Sequence, residues 1–140
     1  MTTAIDTNVI SSLWNEDDVL NRTASRALGA AHEKGQIVIC GPVYSELLAA
    51  PGRSAEFIDG FCAEARIDVE WELGEKIWRA AGTAYQSYAA RRREHKAGEP
   101  RRILADFLIG AHALVNGYRL LTLDAQVYRK AFPRLALEVV

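Results

Sequence analysis

At 140 residues the chain has the length of one domain, enough to bury roughly 68–70% of the surface it exposes when unfolded. Apolar residues make up 49% and charged residues 25%, an ordinary soluble globular balance. No apolar run approaches the ~20 residues that span a bilayer, and a net charge of −1 does not by itself announce nucleic-acid binding.

In chain order, Thr3-Ala4-Ile5-Asp6-Thr7-Asn8-Val9-Ile10 reads as a brief buried strand ending at Asp6 and turning straight into a helix. Ser11 to Trp14 finish that helix, and Asn15-Glu16-Asp17-Asp18 breaks it. Leu20, Ala24, Ala27, Leu28 and Ala31 share one helical face, and Lys34-Gly35 is the stop. Gln36 to Cys40 is a β-branched apolar run, a buried second strand. Gly41-Pro42 opens the helix Val43 to Ala50, with Pro42 suited to a first helical position. Pro51-Gly52 ends it, and Ser54 to Ala65 is helical as well.

Arg66 to Glu70 alternates, which suggests a third strand at a sheet edge. A long amphipathic helix follows, with Leu73, Ile77, Ala81, Ala84 and Tyr88 along one face, fraying into the charged segment Arg91 to Glu99. Ile103 to Asn116 is the next helix, with Ile103, Phe107, Ala111 and Leu114 on one side and Gly117 as its stop. Tyr118 to Leu123 is a fourth strand ending at Asp124, Ala125 to Ala131 a short helix, and Leu135 to Val140 a last strand. Strands separated by helices imply crossovers, and so a single three-layer α/β/α domain over residues 1–140 with a mainly parallel central sheet. Cys40 and Cys62 have no zinc or C-x-x-C spacing and read as reduced thiols of a cytoplasmic protein. The start of the chain lacks a basic region followed by an apolar core, so no signal peptide is expected.

Four acids recur at matching places. Asp6 and Asp124 each follow a strand, Glu46 sits about one turn into a helix, and Asp106 lies near a helix start after a basic turn. In a parallel sheet all four can converge on the edge beyond the strand ends, where ligands bind in open α/β folds. Glu46 and Asp106 lie among apolar neighbours, and a buried carboxylate is costly unless it is paired or metal-bound. The plain alternative for each acid is a helix cap or dipole partner. Four carboxylates with no cysteine or histidine beside them suit a hard cation held through oxygen, Mg²⁺ or Mn²⁺. Such a metal lowers the pKa of a bound water and neutralises charge on a phosphodiester.

Ile5-Asp6-Thr7-Asn8, Tyr44-Ser45-Glu46-Leu47, Ala105 to Ala113 and Leu121-Thr122-Leu123-Asp124 resemble the successive motifs of the PIN domain. Their order, spacing and the total length resemble VapC-type toxins of bacterial toxin–antitoxin pairs. The resemblance implies a Mg²⁺- or Mn²⁺-dependent ribonuclease, usually dimeric and inhibited by an antitoxin, whose products carry a 3′ hydroxyl and a 5′ phosphate. It implies that Asp6, Glu46, Asp106 and Asp124 hold metal and position water. Thr7 and Asn8 would support Asp6 from behind. Some relatives carry a further acid or Asn after the last motif Asp; here Ala125, Gln126 and Val127 follow, and Gln126 offers at most a neutral oxygen.

Six of the 17 Lys and Arg residues fall between Arg91 and Arg102. Arg91 to Lys96 reads as a solvated helix end, whereas Arg101 and Arg102, close to Asp106, read as phosphate or antitoxin contacts. Trp14 is the aromatic candidate for a partner contact, and Trp78 is assigned to core packing. His112 reads as a packed helix residue, and no histidine has a paired metal spacing. Two other readings compete: a catalytically inactive PIN module that binds RNA or antitoxin, and a haloacid-dehalogenase-type phosphatase with Asp6 as nucleophile. The phosphatase usually needs a second Asp two residues on, where this chain has Asn8.

Overall fold

The structure, a computed structural model, describes residues 1–94 and 100–140. Its elements are β1 (Thr3–Ile5), α1 (Thr7–Trp14), α2 (Asn21–Lys34), β2 (Ile37–Cys40), α3 (Gly41–Leu48) and α4 (Ala55–Ala65). Then come β3 (Ile67–Glu70), α5 (Glu75–Glu94), α6 (Leu104–Asn116), β4 (Arg119–Thr122), α7 (Ala125–Ala131) and β5 (Leu137–Val139). The five strands form one sheet in the order β3-β2-β1-β4-β5, and every pairing is parallel. Helices cover it on both sides in the expected α/β/α arrangement.

The sequence of each strand follows from its place. β1 and β2 are central, covered on both faces, and buried at every residue. β3 is an edge strand and keeps the alternation that the sequence carries, with Ile67 buried and Asp68 exposed. In α5, Ile77, Ala81, Ala84 and Tyr88 form the buried stripe at helical spacing. Gly117 ends α6 in the left-handed region (φ 71°), where glycine carries no Cβ penalty. Cys40 and Cys62 are free and buried.

Three expectations change. Ile103 is 55% exposed and serves as the N-cap of α6, so it precedes the helix face it was assigned to. Trp78 is 54% exposed and belongs to no core. Leu73 precedes α5, which starts at Glu75, so it too lies off the helix face it was assigned to. Residues 95–99 of the segment read as fraying lie outside the described residues, and α5 is helical through Glu94.

The strand order positions the site. From β1 the chain moves outward to β2 and β3, then returns to lay β4 on the other side of β1 before continuing to β5. The connections leaving β1 and β4 therefore diverge, which opens a crevice beyond their carboxyl ends. Asp6 follows β1 and Asp124 comes just after β4. The pairing of Ile5 with Leu121 sets the two strand ends side by side, and the Asp6 amide donates to the Leu121 carbonyl at 3.0 Å.

α7 reaches its place because Gly110 lets it. A Cβ at Gly110 would lie 2.4 Å from the Phe132 ring and 3.1 Å from that of Tyr128. Gly110→Ala is expected to destabilise the fold by about 1–3 kcal/mol through overpacking. Urea unfolding measures this, and an unchanged midpoint would show that α7 packs differently.

Candidate functional site

Asp6, Glu46, Asp106 and Asp124 line one open cleft at the crevice, together with Thr7 and Tyr128. They come from four separate segments. Asp6 caps α1 and Asp124 caps α7, each accepting an early backbone N–H of its helix. Asp106 is at the third position of α6, and its Oδ2 accepts the Ile103 N–H at 3.3 Å. This is half of a capping box, since Ile103 has no side-chain acceptor to return the bond. Three acids thus sit where a helix dipole favours negative charge. Glu46 is further along α3. The helices carrying Glu46 and Asp106 are apolar as expected, yet both carboxylates are only half-buried because they face the cleft.

Asp6 is held most tightly. It is buried, and three donors converge on it: the Thr7 N–H on Oδ1 at 2.8 Å, and the Thr122 and Tyr128 hydroxyls on Oδ2 at 2.8 Å each. A carboxylate offers about four lone-pair positions, so these three donors leave one on Oδ1, and Asp6 lines the cleft. Burial nevertheless pushes the Asp6 pKa up to about 6, against the three hydrogen bonds, and the charge of Asp106 adds to the rise. Burial raises the pKa of Asp106 too, with Asp124 adding and the Ile103 amide and Arg102 opposing. The acids repel one another, and a cation among them would relieve that.

Thr7 joins two of the acids. Its amide holds Asp6 and its hydroxyl donates to Glu46 Oε1 at 2.6 Å. Among the described residues no hydrogen bond joins Asn8 to Asp6; the Asn8 Oδ1 accepts the Leu123 N–H at 3.1 Å, so it fixes the strand end that presents Asp124. The Thr122 hydroxyl also accepts the Asp124 N–H at 3.0 Å, coupling Asp6 and Asp124 through one side chain. Asp18 lines the same cleft, its Oδ1 engaged by the Leu20 N–H at 2.8 Å.

The flanking candidates divide. Arg102 pairs with Asp124 at 2.7 Å. Its backbone N–H donates to the Tyr88 hydroxyl, which in turn donates to the Pro100 carbonyl at 2.9 Å, so α5 sets the turn that aims Arg102. Arg101 is exposed. Gln126 lines a neighbouring recess and not the acid cleft. Trp14, the candidate for a partner contact, is partly buried and packed edge-on against Phe57 and Phe61 of α4 at 5.3 and 5.4 Å, with Arg53 over its ring. His112 is buried, as read, with Nε2 2.8 Å from Glu70. Burial pushes the Cys40 thiol up to about 12, so it supplies no thiolate nucleophile beside the cleft.

The chain matches the PIN domain family over residues 3–133. It belongs to that family. No curated protein sequence matches the chain. Among solved structures it is similar to VapBC2 from Rickettsia felis bound to a promoter DNA fragment (TM-score 0.74, 19% identity, 99% of this chain and 98% of that one). It is also similar to a toxin–antitoxin complex from Klebsiella pneumoniae (TM-score 0.58, 20% identity, 90% and 89%). A third is VapC20 from Mycobacterium tuberculosis, described as a Sarcin–Ricin loop cleaving toxin (TM-score 0.60, 16% identity, 89% and 92%). At these identities the likeness establishes the fold. Among the described residues no helix is long and apolar enough to cross a membrane.

The donor set of this PIN domain fits a hard divalent cation: all oxygen, mutually repelling, with Asp6 prearranged by three donors. Among the described residues no three His, Cys, Asp or Glu side chains stand close enough together to hold a metal ion between them. Mg²⁺ usually keeps several waters and is held through one or two carboxylates, so it does not require three.

Asp6 also makes the metal-free PIN domain pH-sensitive. Its pKa rises from 3.8 to about 6 on folding, so between those values the folded state holds more protons than the unfolded. Stability must then fall as pH rises through this window, by about 3 kcal/mol from Asp6. Urea unfolding in EDTA at pH 4 and pH 7 measures it. Asp6→Asn should flatten the profile, and a wild-type profile just as flat would contradict the burial of a charged Asp6.

Proposed function

We propose that this PIN domain is a Mg²⁺- or Mn²⁺-dependent endoribonuclease and the toxin of a toxin–antitoxin pair, its 140 residues acting as one nuclease domain in the cytoplasm. One observation carries the reading: the four motif carboxylates, from four separate segments, line one cleft at the switch point of a parallel sheet, with Asp18 lining it as well. The likeness to a toxin that cleaves the Sarcin–Ricin loop supports RNA as the substrate class. The likeness to a toxin–antitoxin complex supports a cognate antitoxin as partner, and the resemblance to VapC-type toxins supports a homodimer.

Asp6, Glu46, Asp106 and Asp124 would hold the cation. When bound, it supplies a Lewis acid that activates water and stabilises charge on the phosphodiester. The chain's own groups do the positioning. Thr7 fixes Asp6 and Glu46 relative to each other, and Thr122 does the same for Asp6 and Asp124. The hydroxyls of Thr122 and Tyr128 favour the ionised form of Asp6, the form that binds metal. In the reaction the water oxygen adds to phosphorus, the P–O3′ bond breaks and the 3′ oxygen takes a proton. The products are a 3′ hydroxyl and a 5′ phosphate.

The test is incubation of total RNA with the purified, antitoxin-free protein and Mg²⁺ or Mn²⁺, followed by end-group mapping. Discrete cuts bearing 5′ phosphates are expected. No cuts by a folded protein, across RNA samples that include ribosomal RNA, tRNA and message, would overturn the nuclease reading in favour of a binding-only module.

A further inference from the structure

The acid cleft does not end at Val127. That residue also lines a second recess, whose walls include Arg91, Arg102, Lys130, Tyr88 and Phe107. Arg91 and Lys130 in turn line a third hollow, a shallow groove that also receives Arg79, Thr83 and Ser87. The three hollows therefore share walls and run on from one another along α7, beside α5. Carboxylates line the first; among the described residues none lines the second or third.

Cations at helix C-termini have an ordinary explanation, since they complement the dipole. That accounts for Arg91, Arg92 and Arg93 on α5 and for Arg129 and Lys130 on α7. It does not account for two helices and the 100–102 turn all lining the same hollows. Arg93 and Arg129 are exposed and line none of the hollows; Arg91, Arg102 and Lys130 do. Arg102 bridges the two regimes, since it lines the recess and its guanidinium lies 2.7 Å from Asp124.

We propose that this cationic track carries the RNA backbone away from the phosphate that is cut. The neighbouring phosphate is gripped at the mouth of the recess by Arg91, Arg102 and Lys130, and the strand continues along the groove past Arg79, Thr83 and Ser87. The recess interior, about 20 Å³, holds a water and not a phosphate, so the backbone lies across the opening. Charge complementarity selects a polyanion, and the shared wall with the acid cleft selects the one whose phosphodiester is the substrate. The inference rests on the nuclease reading above.

The experiment measures binding of a fluorescein-labelled single-stranded RNA by anisotropy over a range of KCl concentrations, with Mg²⁺ present. The full-length Asp6→Asn protein serves as background so that the probe stays intact. Arg91→Gln and Lys130→Gln are each expected to weaken binding several-fold and to lower the salt slope by about 0.7, the value for one lost single-strand phosphate contact. Arg91→Lys and Lys130→Arg should restore the slope, which separates lost charge from lost structure. Arg26→Gln, exposed on α2 and outside all three hollows, should change neither quantity. If the Gln variants bind with wild-type affinity and slope while the wild type still cuts RNA, the track is wrong and the nuclease reading stands. If the wild type neither cuts nor binds RNA, both fall.

Discussion

Asp6→Asn is expected to lower RNA cleavage at saturating Mg²⁺ by about 10²–10⁴-fold, the rate equivalent of several kcal/mol of lost metal-borne stabilisation. Asp6 is the acid with the most support around it: it is buried, held by three donors and lines the cleft. The carboxamide keeps the shape and removes the charge that binds the cation. It also places an NH₂ where one of the converging donors needs an acceptor, so thermal unfolding must accompany the assay. Asp124→Asn is the companion variant, because Asp124 is half-exposed and its replacement puts less of the fold at risk. Its activity should fall in the same range. Full activity in either folded variant would remove that carboxylate from the proposed metal set.

The second large effect belongs to Tyr128→Phe. The Tyr128 hydroxyl is buried and donates to Asp6 Oδ2 at 2.8 Å. A hydrogen bond to a charged group contributes about 1.5–3 kcal/mol, or about 1–2 pKa units. Losing it leaves the Asp6 carboxylate with two donors in the same buried site, so its pKa climbs further above about 6. At fixed, subsaturating Mg²⁺ the acid limb of the cleavage profile should move to higher pH by about 1–2 units. Activity near pH 7 then drops about two- to tenfold and recovers toward pH 9. A merely structural role for Tyr128 would lower the rate by one factor at every pH. That pattern, an unmoved acid limb with reduced height, would rule out the proposed control of Asp6.

Much of this architecture is legible in the chain itself. An apolar β-branched run marks β2 and a leucine pair lies at the centre of β4, alternation marks the edge strand β3, and the stripe on α5 and the stop at Gly117 follow from helical period and glycine conformation. The four acids stand out because each lies just past a strand or early in a helix. What the chain does not display is which strands are neighbours. Thr122 meets Asp6 only because β4 pairs with β1 in the Ile5–Leu121 register, and the order β3-β2-β1-β4-β5 is a tertiary property. A parallel β1–β4 pairing, once assumed, would have put Thr122 beside Asp6.

Tyr128 is hidden for a similar reason. It sits 122 positions from Asp6, and α7 can approach only because Gly110 clears room for Tyr128 and Phe132. Asn8 shares a motif with Asp6, yet adjacency in sequence does not decide a partner at a helix start; its amide oxygen reaches Leu123 instead. The surroundings of Trp14 and Trp78 are set by packing between elements, which local pattern does not show: Phe57 and Phe61 of α4 pack against a partly buried Trp14, while Trp78, read as core, is exposed. Arg102 was marked by its nearness to Asp106, but the contact it makes is with Asp124, set by the Tyr88 anchor under the 100–102 turn.

The most direct measurement is a metal withdrawal and return on one preparation. Total RNA is incubated with purified protein and Mn²⁺, then with excess EDTA, then with Mn²⁺ restored above the chelator. If the acid cleft works through a bound cation, discrete cuts appear, vanish in EDTA and return at the same positions. Cleavage that persists fully in EDTA would contradict the account at its centre, because the four carboxylates would then have no cation to hold in the reaction.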